Sequence, residues 1–235
     1  MSGTKQILLV EDDPDIVQLL ALHVTEPGYH LSTCGNGAKA VEDIAVNHYD
    51  LIILDIMLPD LDGLEVCKRI RQKKIMTPVI MLTSRAEEID KVLALELGAD
   101  DYITKPFSIR ELLARMKAIF RRIEQPYNQA NGAGSSGEIH VNNLFINKEK
   151  RQVVLGTNHL ELTVKEFDLL YLMAGNPGKT FSRQQLLEDV WGYSFKGYEH
   201  TVTSHINRLR IKIEPNLNEP VYILTTWGAG YRFTE

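Results

Sequence analysis

The chain predicts an α/β protein, with a five-stranded, doubly wound parallel sheet of the flavodoxin-like kind followed by a winged helix-turn-helix domain. Three observations carry that prediction. Up to about residue 122, near-continuous apolar runs alternate with helical patterns, which is how parallel strands covered on both faces read. A stretch rich in Gly, Asn and Ser then interrupts the pattern. Beyond it, short runs with turn residues between them give way to capped helices and a terminal hairpin.

The elements follow in order. Ile7-Leu8-Leu9-Val10 is the first strand, and Asp12-Asp13-Pro14 starts the first helix, with Asp13 as N-cap and Pro14 in the first helical position. His30 to Cys34 is the second strand and Ala38 to Asn47 the second helix. Leu51 to Leu54 and Val79 to Leu82 are the third and fourth strands. Helices over Gly63 to Gln72 and Glu87 to Leu97 follow them, the latter ended by Gly98. Tyr102-Ile103-Thr104 is the fifth strand. After it, Ile109, Leu112, Leu113, Met116, Ile119 and Phe120 keep the spacing of a one-sided amphipathic helix. Five such units predict the strand order 2-1-3-4-5.

Residues 1–122 thus form one domain, 123–137 a flexible linker and 138–235 a second domain. QPYNQANGAGSSG, within the linker, lacks the apolar content needed for a core. In the second domain, Ile139 to Ile146, Gln152 to Leu155 and His159 to Leu162 predict a small antiparallel sheet. Thr163-Val-Lys-Glu166 and Ser182-Arg-Gln-Gln185 are capping boxes that open two helices, with Leu162/Phe167 and Phe181/Leu186 as their hydrophobic staples. A third helix spans about Glu199 to Ile213. Val221 to Thr226 and Tyr231 to Thr234 flank Trp227-Gly228-Ala229-Gly230 as a hairpin.

Composition narrows the class. Hydrophobic residues make up 44% and charged residues 24%, as in soluble globular proteins. The net charge of −5 argues against wholesale coating of nucleic acid. Cys34 and Cys67 lack metal-ligand spacing and read as reduced, packed thiols. No apolar stretch reaches the ~18 residues of a membrane span, and no signal-peptide pattern is present. The expectation is a cytoplasmic protein without a membrane partner.

The polar residues that terminate the strands are the first functional signal. Glu11 and Asp12 end the first, Asp55 the third, Thr83 the fourth and Lys105 the fifth. In open α/β sheets ligands bind outside the carboxyl ends of the strands, so these residues converge. Three gathered carboxylates call for a hard divalent cation, and Mg²⁺, with its preference for oxygen ligands, suits them. Helix capping alone would also explain Glu11 and Asp12, and a turn would explain Asp55. Thr83 and Lys105 favour chemistry, since an acyl phosphate on Asp55 would need a hydroxyl donor and a compact cation.

LLVEDD (8–13), LIILDIMLPDLDG (51–63), MLTS (81–84) and GADDYITKPF (98–107) resemble the receiver domain of two-component response regulators. The resemblance implies that Asp55 accepts a phosphoryl group from a histidine kinase. It also implies that Glu11, Asp12, Asp55 and the Met57 backbone carbonyl hold Mg²⁺, that Thr83 and Lys105 assist, and that the bond before Pro106 is cis. Thr83 and Tyr102 are the implied switch pair. A dimer face on the fourth helix, fifth strand and fifth helix is implied at Lys91, Val92, Leu95, Asp100, Asp101, Glu111, Ala114, Arg115 and Arg122. A two-fold axis would let every pair there occur twice, whereas exposed pairs alone contribute only ~0–1 kcal/mol each.

The helix from Glu199 is the second signal. Val202, Ile206, Leu209 and Ile213 fall on one stripe, and the segment from His200 to Ile213 carries no acid. An acid-free polar face opposite a buried stripe suits entry into a DNA groove. LTVKEFDLL (162–170), SRQQLLEDVWG (182–192), HTVTSHINRLRIKIEP (200–215) and TTWGAGYRF (225–233) resemble the OmpR/PhoB-type effector domain. The resemblance implies DNA contacts from His200, Thr203, Ser204, His205, Asn207, Arg208, Arg210 and Lys212. It places the hairpin at Trp227 and Gly228 in the adjacent minor groove, and the loop near Trp191 to Tyr198 toward RNA polymerase. This chain has His200, Asn207 and Trp227 where the family often has Arg. From Glu138 onward, eleven Lys and Arg balance eleven Asp and Glu, so the −5 lies in the first half and linker. Fewer cations release fewer counterions, so a single copy should bind weakly and linked copies should gain through effective concentration.

The combined expectation is a DNA-binding transcription regulator, dimeric when phosphorylated, and not an enzyme. An Asp-based phosphatase would need a second acid two residues after its nucleophile, where this chain has Met57. A regulator whose DNA binding ignores phosphorylation is the other alternative.

Overall fold

The computed structural model describes residues 4–24, 28–84, 93–124, 137–192 and 199–235, with backbone alone at 122–124. The chain forms two compact units, Met1–Ile119 and Phe120–Glu235.

In the first unit, β1 (Lys5–Val10), β2 (Tyr29–Cys34), β3 (Leu51–Asp55), β4 (Val79–Thr83) and β5 (Asp101–Thr104) form one sheet in the order β2-β1-β3-β4-β5. Every pair is parallel. All five residues of β3 and of β4 are buried, as a sheet covered on both faces requires. The helices are α1 (Pro14–His23), α2 (Gly37–Val46), α3 (Gly63–Gln72), α4 (residues 93–96) and α5 (Ile109–Glu124). Asp13, Asn36 and Asp62 cap the first three, each side chain accepting from a backbone N–H in the first turn. The remainder of the expected fourth helix, and the linker from 125 to 136, lie outside the described residues. Cys34 and Cys67 are free thiols, the second buried.

The second unit opens with a four-stranded antiparallel sheet of β6 (Glu138–Val141), β7 (Leu144–Asn147), β8 (Gln152–Leu155) and β9 (Asn158–Leu160). The expected single run from Ile139 to Ile146 is two strands. Asn142, at φ 51°, and Asn143 make a two-residue turn that pairs Val141 with Leu144. Three helices follow, namely α6 (Val164–Ala174), α7 (Arg183–Trp191) and α8 (Glu199–Ile213). Both capping boxes form, at Thr163/Glu166 and Ser182/Gln185. β10 (Thr180–Phe181), β11 (Ile223–Thr226) and β12 (Gly230–Phe233) make a second sheet in the order β10-β12-β11. Its two-residue strand β10 has no sequence signature, because pairing with β12 alone defines it. Val202, Ile206, Leu209 and Ile213 enter one core with Leu169, Leu170, Leu186, Trp191 and Phe233.

The chain approaches itself closely beneath the carboxyl end of β3. A Cβ at Gly63 would lie 2.1 Å from the Asp55 carbonyl oxygen, a backbone group that cannot rotate away. Gly63→Ala should therefore lower the thermal stability of the first unit, with an overpacking cost of roughly 1–3 kcal/mol by calorimetry. An unchanged unfolding transition would show that α3 can retreat from β3 without cost.

Candidate functional site

Register brings the strand-end residues together. Val10 pairs with Leu54, so Glu11 follows beside Asp55. Asp55 pairs with Leu82, one residue before Thr83, and Thr83 pairs with Thr104, one residue before Lys105. Side-chain atoms of Glu11, Asp12 and Asp55 lie within 4.8 Å of one another. Glu11 and Asp55 are buried, whereas Asp12 is exposed. Lys105 Nζ donates to Glu11 Oε2 at 2.7 Å and to Asp55 Oδ2 at 3.0 Å. Thr83 is fully buried, Met57 is exposed, and the Lys105–Pro106 bond is cis.

The electrostatics of this cluster are unbalanced. Among the described residues, three carboxylates meet one ammonium. Burial, with the nearby Asp55 charge, pushes the Glu11 carboxyl above its ordinary range despite the opposing hydrogen bond from Lys105. Burial works against the Lys105 cation too, but its bonds to Glu11 and Asp55 prevail and raise its pKa. Asp55 Oδ1 is buried and has no hydrogen-bond partner among the described residues. A buried carboxylate oxygen without a partner costs about 1–3 kcal/mol or more, a cost that a bound cation would offset. An all-oxygen donor set with surplus negative charge fits a hard cation such as Mg²⁺.

The implied switch pair occupies neighbouring strands. Tyr102 pairs with Met81, two residues before Thr83, so both side chains lie on one face of the sheet. Both are buried.

The expected dimer face is only partly on the surface. Ala114 is exposed and Glu111 half-buried. Leu95 is enclosed rather than part of an exposed apolar patch. Asp100 is a correction, because it is fully buried. Its Oδ2 accepts from Arg71 Nη2 and from the Val79 N–H, both at 3.0 Å, so it caps the start of β4. Asp101 and Arg115 pair with each other inside the protomer at 2.8 and 3.0 Å, and Arg115 Nη2 also donates to Glu111 at 2.6 Å. Lys91, Val92 and the Arg122 side chain lie outside the described residues.

In the second unit, α8 exposes His200, Asn207 and Ile211. Two expected DNA contacts are corrected. Ser204 is enclosed, and His205 is wholly buried edge-on against Trp191, with ring centroids 4.9 Å apart. Its Nδ1 bonds to the Thr201 carbonyl at 2.8 Å, as a donor. Burial, reinforced by the Arg208 charge, holds its pKa well below the usual value, so the ring is neutral. Thr203 is half-buried, and its hydroxyl accepts from Arg183 and Tyr231. Trp227, 92% exposed, and Gly228 project at the hairpin tip. Arg208, Arg210 and Lys212 are each bonded within the unit. Glu166, the counter-ion of Arg208 and Lys212, was legible only as a helix cap. Residues 193–198, in the loop expected to face RNA polymerase, lie outside the described residues.

Comparison with known proteins agrees with this geometry. Residues 7–117 match the response regulator receiver domain, and residues 156–233 match the C-terminal domain of transcriptional regulatory proteins. The chain is 46% identical to the alkaline phosphatase synthesis transcriptional regulatory protein PhoP of Bacillus subtilis, over 98% of this chain and 97% of that one. This chain belongs to the OmpR/PhoB-type response regulators. It is 41% identical to the transcriptional regulatory protein ResD of Bacillus subtilis, over 97% of this chain and 95% of that protein. Among solved structures, a RitR mutant aligns with a TM-score of 0.74 at 29% identity, covering 98% of this chain and 99% of that one. The Thermotoga maritima OmpR/PhoB homologue DrrB aligns at 0.50 and 33% identity, covering 99% of this chain and 100% of its own.

The response regulator is therefore a DNA-binding transcription regulator and not an enzyme, with a histidine kinase and DNA as partners. Receiver domains use Mg²⁺ at an acidic pocket, and Glu11, Asp12 and Asp55 form such a pocket here. No helix among the described residues is long and apolar enough to cross a membrane.

Glu166 gives the DNA-binding unit a pH signature. Burial alone would raise its pKa, but Arg208 and Lys212 outweigh burial and hold it at about 2, against 4.5 for an ordinary glutamate. A depressed folded-state pKa contributes stability that is complete above pH ~4.5 and is lost as pH falls toward ~2, on the order of 3 kcal/mol. Urea midpoints of the second unit should fall steeply across that window, and Glu166→Gln should flatten the fall. Equal acid sensitivity in both proteins would contradict the assignment.

Proposed function

We propose that this regulator is switched by phosphorylation of Asp55, and that the switch operates through dimerisation on DNA. The supporting observation is the unpartnered, buried Oδ1 of Asp55, set in a carboxylate cluster facing Lys105. Oδ1 attacks the phosphorus of a kinase phosphohistidine. The phosphorus–nitrogen bond breaks as the Oδ1–phosphorus bond forms, and the histidine leaves with the electron pair. A divalent cation bound by Glu11, Asp12, Asp55 and the Met57 carbonyl would neutralise charge on the phosphoryl oxygens. Lys105, already within reach of Asp55, holds the added charge, which is roughly −1.5 to −2. The Thr83 hydroxyl donates to a phosphoryl oxygen, and Tyr102 on the same face of the sheet repacks in response.

That repacking changes the face formed by α4, β5 and α5. Two regulators then join symmetrically, with Glu111 and Ala114 at the surface and the Asp101–Arg115 pair shaping it from within. On DNA, α8 enters the major groove of a half-site with His200, Thr203 and Asn207. Asn207 has the donor and acceptor needed for adenine. Trp227 and Gly228 approach the minor groove, and the loop after Trp191 meets RNA polymerase in the cytoplasm. A neutral DNA-binding unit binds one half-site weakly, and dimerisation multiplies that affinity.

Incubation with acetyl phosphate and Mg²⁺, followed by intact mass measurement, tests the switch. The expected result is a gain of one phosphoryl group, absent with a chelator and absent in Asp55→Asn. A gain that survives Asp55→Asn, or no gain in the wild type, would overturn it.

A further inference from the structure

The cations of α8 hold the domain together along both edges of the helix. On one edge Arg208 Nε and Nη2 donate to Glu166 Oε1 at 2.9 and 2.7 Å, and Lys212 Nζ donates to Oε2 at 2.6 Å. On the other, Arg210 Nη2 donates to the Ile223 carbonyl at 2.7 Å and to Thr225 Oγ1 at 2.9 Å, which ties α8 to β11. Arg208 and Lys212 are four residues apart and share one edge of the helix. Glu166 itself cannot swing. Its Oε2 accepts from the Thr163 N–H at 2.9 Å in the capping box of α6, and its side chain is fully enclosed. Lys212 is anchored further by the Glu161 carbonyl at 2.9 Å. Between the two pinned edges, His200, Asn207 and Ile211 face outward.

We infer that Glu166 is a positioning residue for DNA reading, which withdraws Arg208 and Lys212 from phosphate binding and uses them to fix the rotation of α8. The inference rests on α8 being the groove-reading helix. With both cations committed to a fixed carboxylate, the outward face is uncharged at its centre. Its discrimination then comes from Asn207, His200 and the apolar Ile211 and not from phosphate attraction. Releasing the cations would add sequence-independent affinity and loosen the helix that carries the base contacts.

The test uses the full-length protein and two duplexes of equal length. One is selected by the wild type from a random pool, and the other is of mixed sequence. Binding is measured across a series of KCl concentrations. Lys212→Ala is expected to leave the slope of log K against log salt unchanged, whereas loss of a phosphate contact would reduce it by ~0.9. Glu166→Gln is expected to steepen that slope by ~1–2. It should also cut the preference for the selected duplex by about tenfold or more. A Lys212→Ala slope reduced by ~0.9, or a folded Glu166→Gln protein with wild-type slope and preference, would overturn the inference. If circular dichroism shows Glu166→Gln unfolded, Lys212→Ala decides alone. Failure of the wild type to prefer any duplex would sink the groove-reading role of α8 instead.

Discussion

The ammonium of Lys105, donating to Glu11 and Asp55 together, is the contact on which the receiver unit turns. It joins the carboxyl ends of three strands, β1, β3 and β5, that the chain reaches almost a hundred residues apart. Without a cation there, two buried carboxylates would face each other in a low-dielectric pocket, a cost of several kcal/mol. Among the described residues one ammonium does not complete the balance, since Asp12 adds a third carboxylate and Asp55 Oδ1 has no partner there. The cluster is thus held together yet keeps a surplus of negative charge. A bound cation and a phosphoryl group on Asp55, as proposed, would redress that imbalance.

The second unit solves a different problem with the same chemistry. Helix α8 carries cations that could serve DNA, and an equal count of acids across the unit offsets them. Glu166 concentrates that offset at one point, where a carboxylate fixed by a capping box receives Arg208 and Lys212. A helix held this way presents a defined row of side chains at the expense of long-range attraction. Weak single-copy binding would follow from it and would make the proposed dimerisation switch effective, because little DNA would be occupied until two copies were joined.

Much of this was legible in the chain because the deciding features are local. A four-residue apolar run followed by an acid, a hydroxyl or a lysine marks a strand and its functional end together. Thr163/Glu166 and Ser182/Gln185 mark helix starts by spacing alone. What escaped depends on neighbours remote in sequence. Asp100 has the charge of an interface residue, but Arg71, twenty-nine residues earlier, draws it inside. His205 lies on a flank of α8 and Ser204 opposite its apolar stripe, and the burial of both depends on what packs alongside. β10 exists only through its pairing with β12, and the Asn142-Asn143 turn splits a run that reads as continuous. Periodicity locates a stripe well, but the edges of that stripe are set by tertiary packing.

The claim that most needs a direct measurement is that the strand ends β1, β3, β4 and β5 build one cation-dependent phosphoryl site around Asp55 Oδ1. Anomalous diffraction from crystals grown with Mn²⁺ and beryllofluoride would address it. One strong manganese peak among Glu11, Asp12 and Asp55 is the predicted result. The fluoride complex should sit on Asp55 Oδ1, with Lys105 and Thr83 in contact with it. Manganese bound elsewhere, or an Asp55 Oδ1 still unliganded at saturating concentrations of both, would contradict the account.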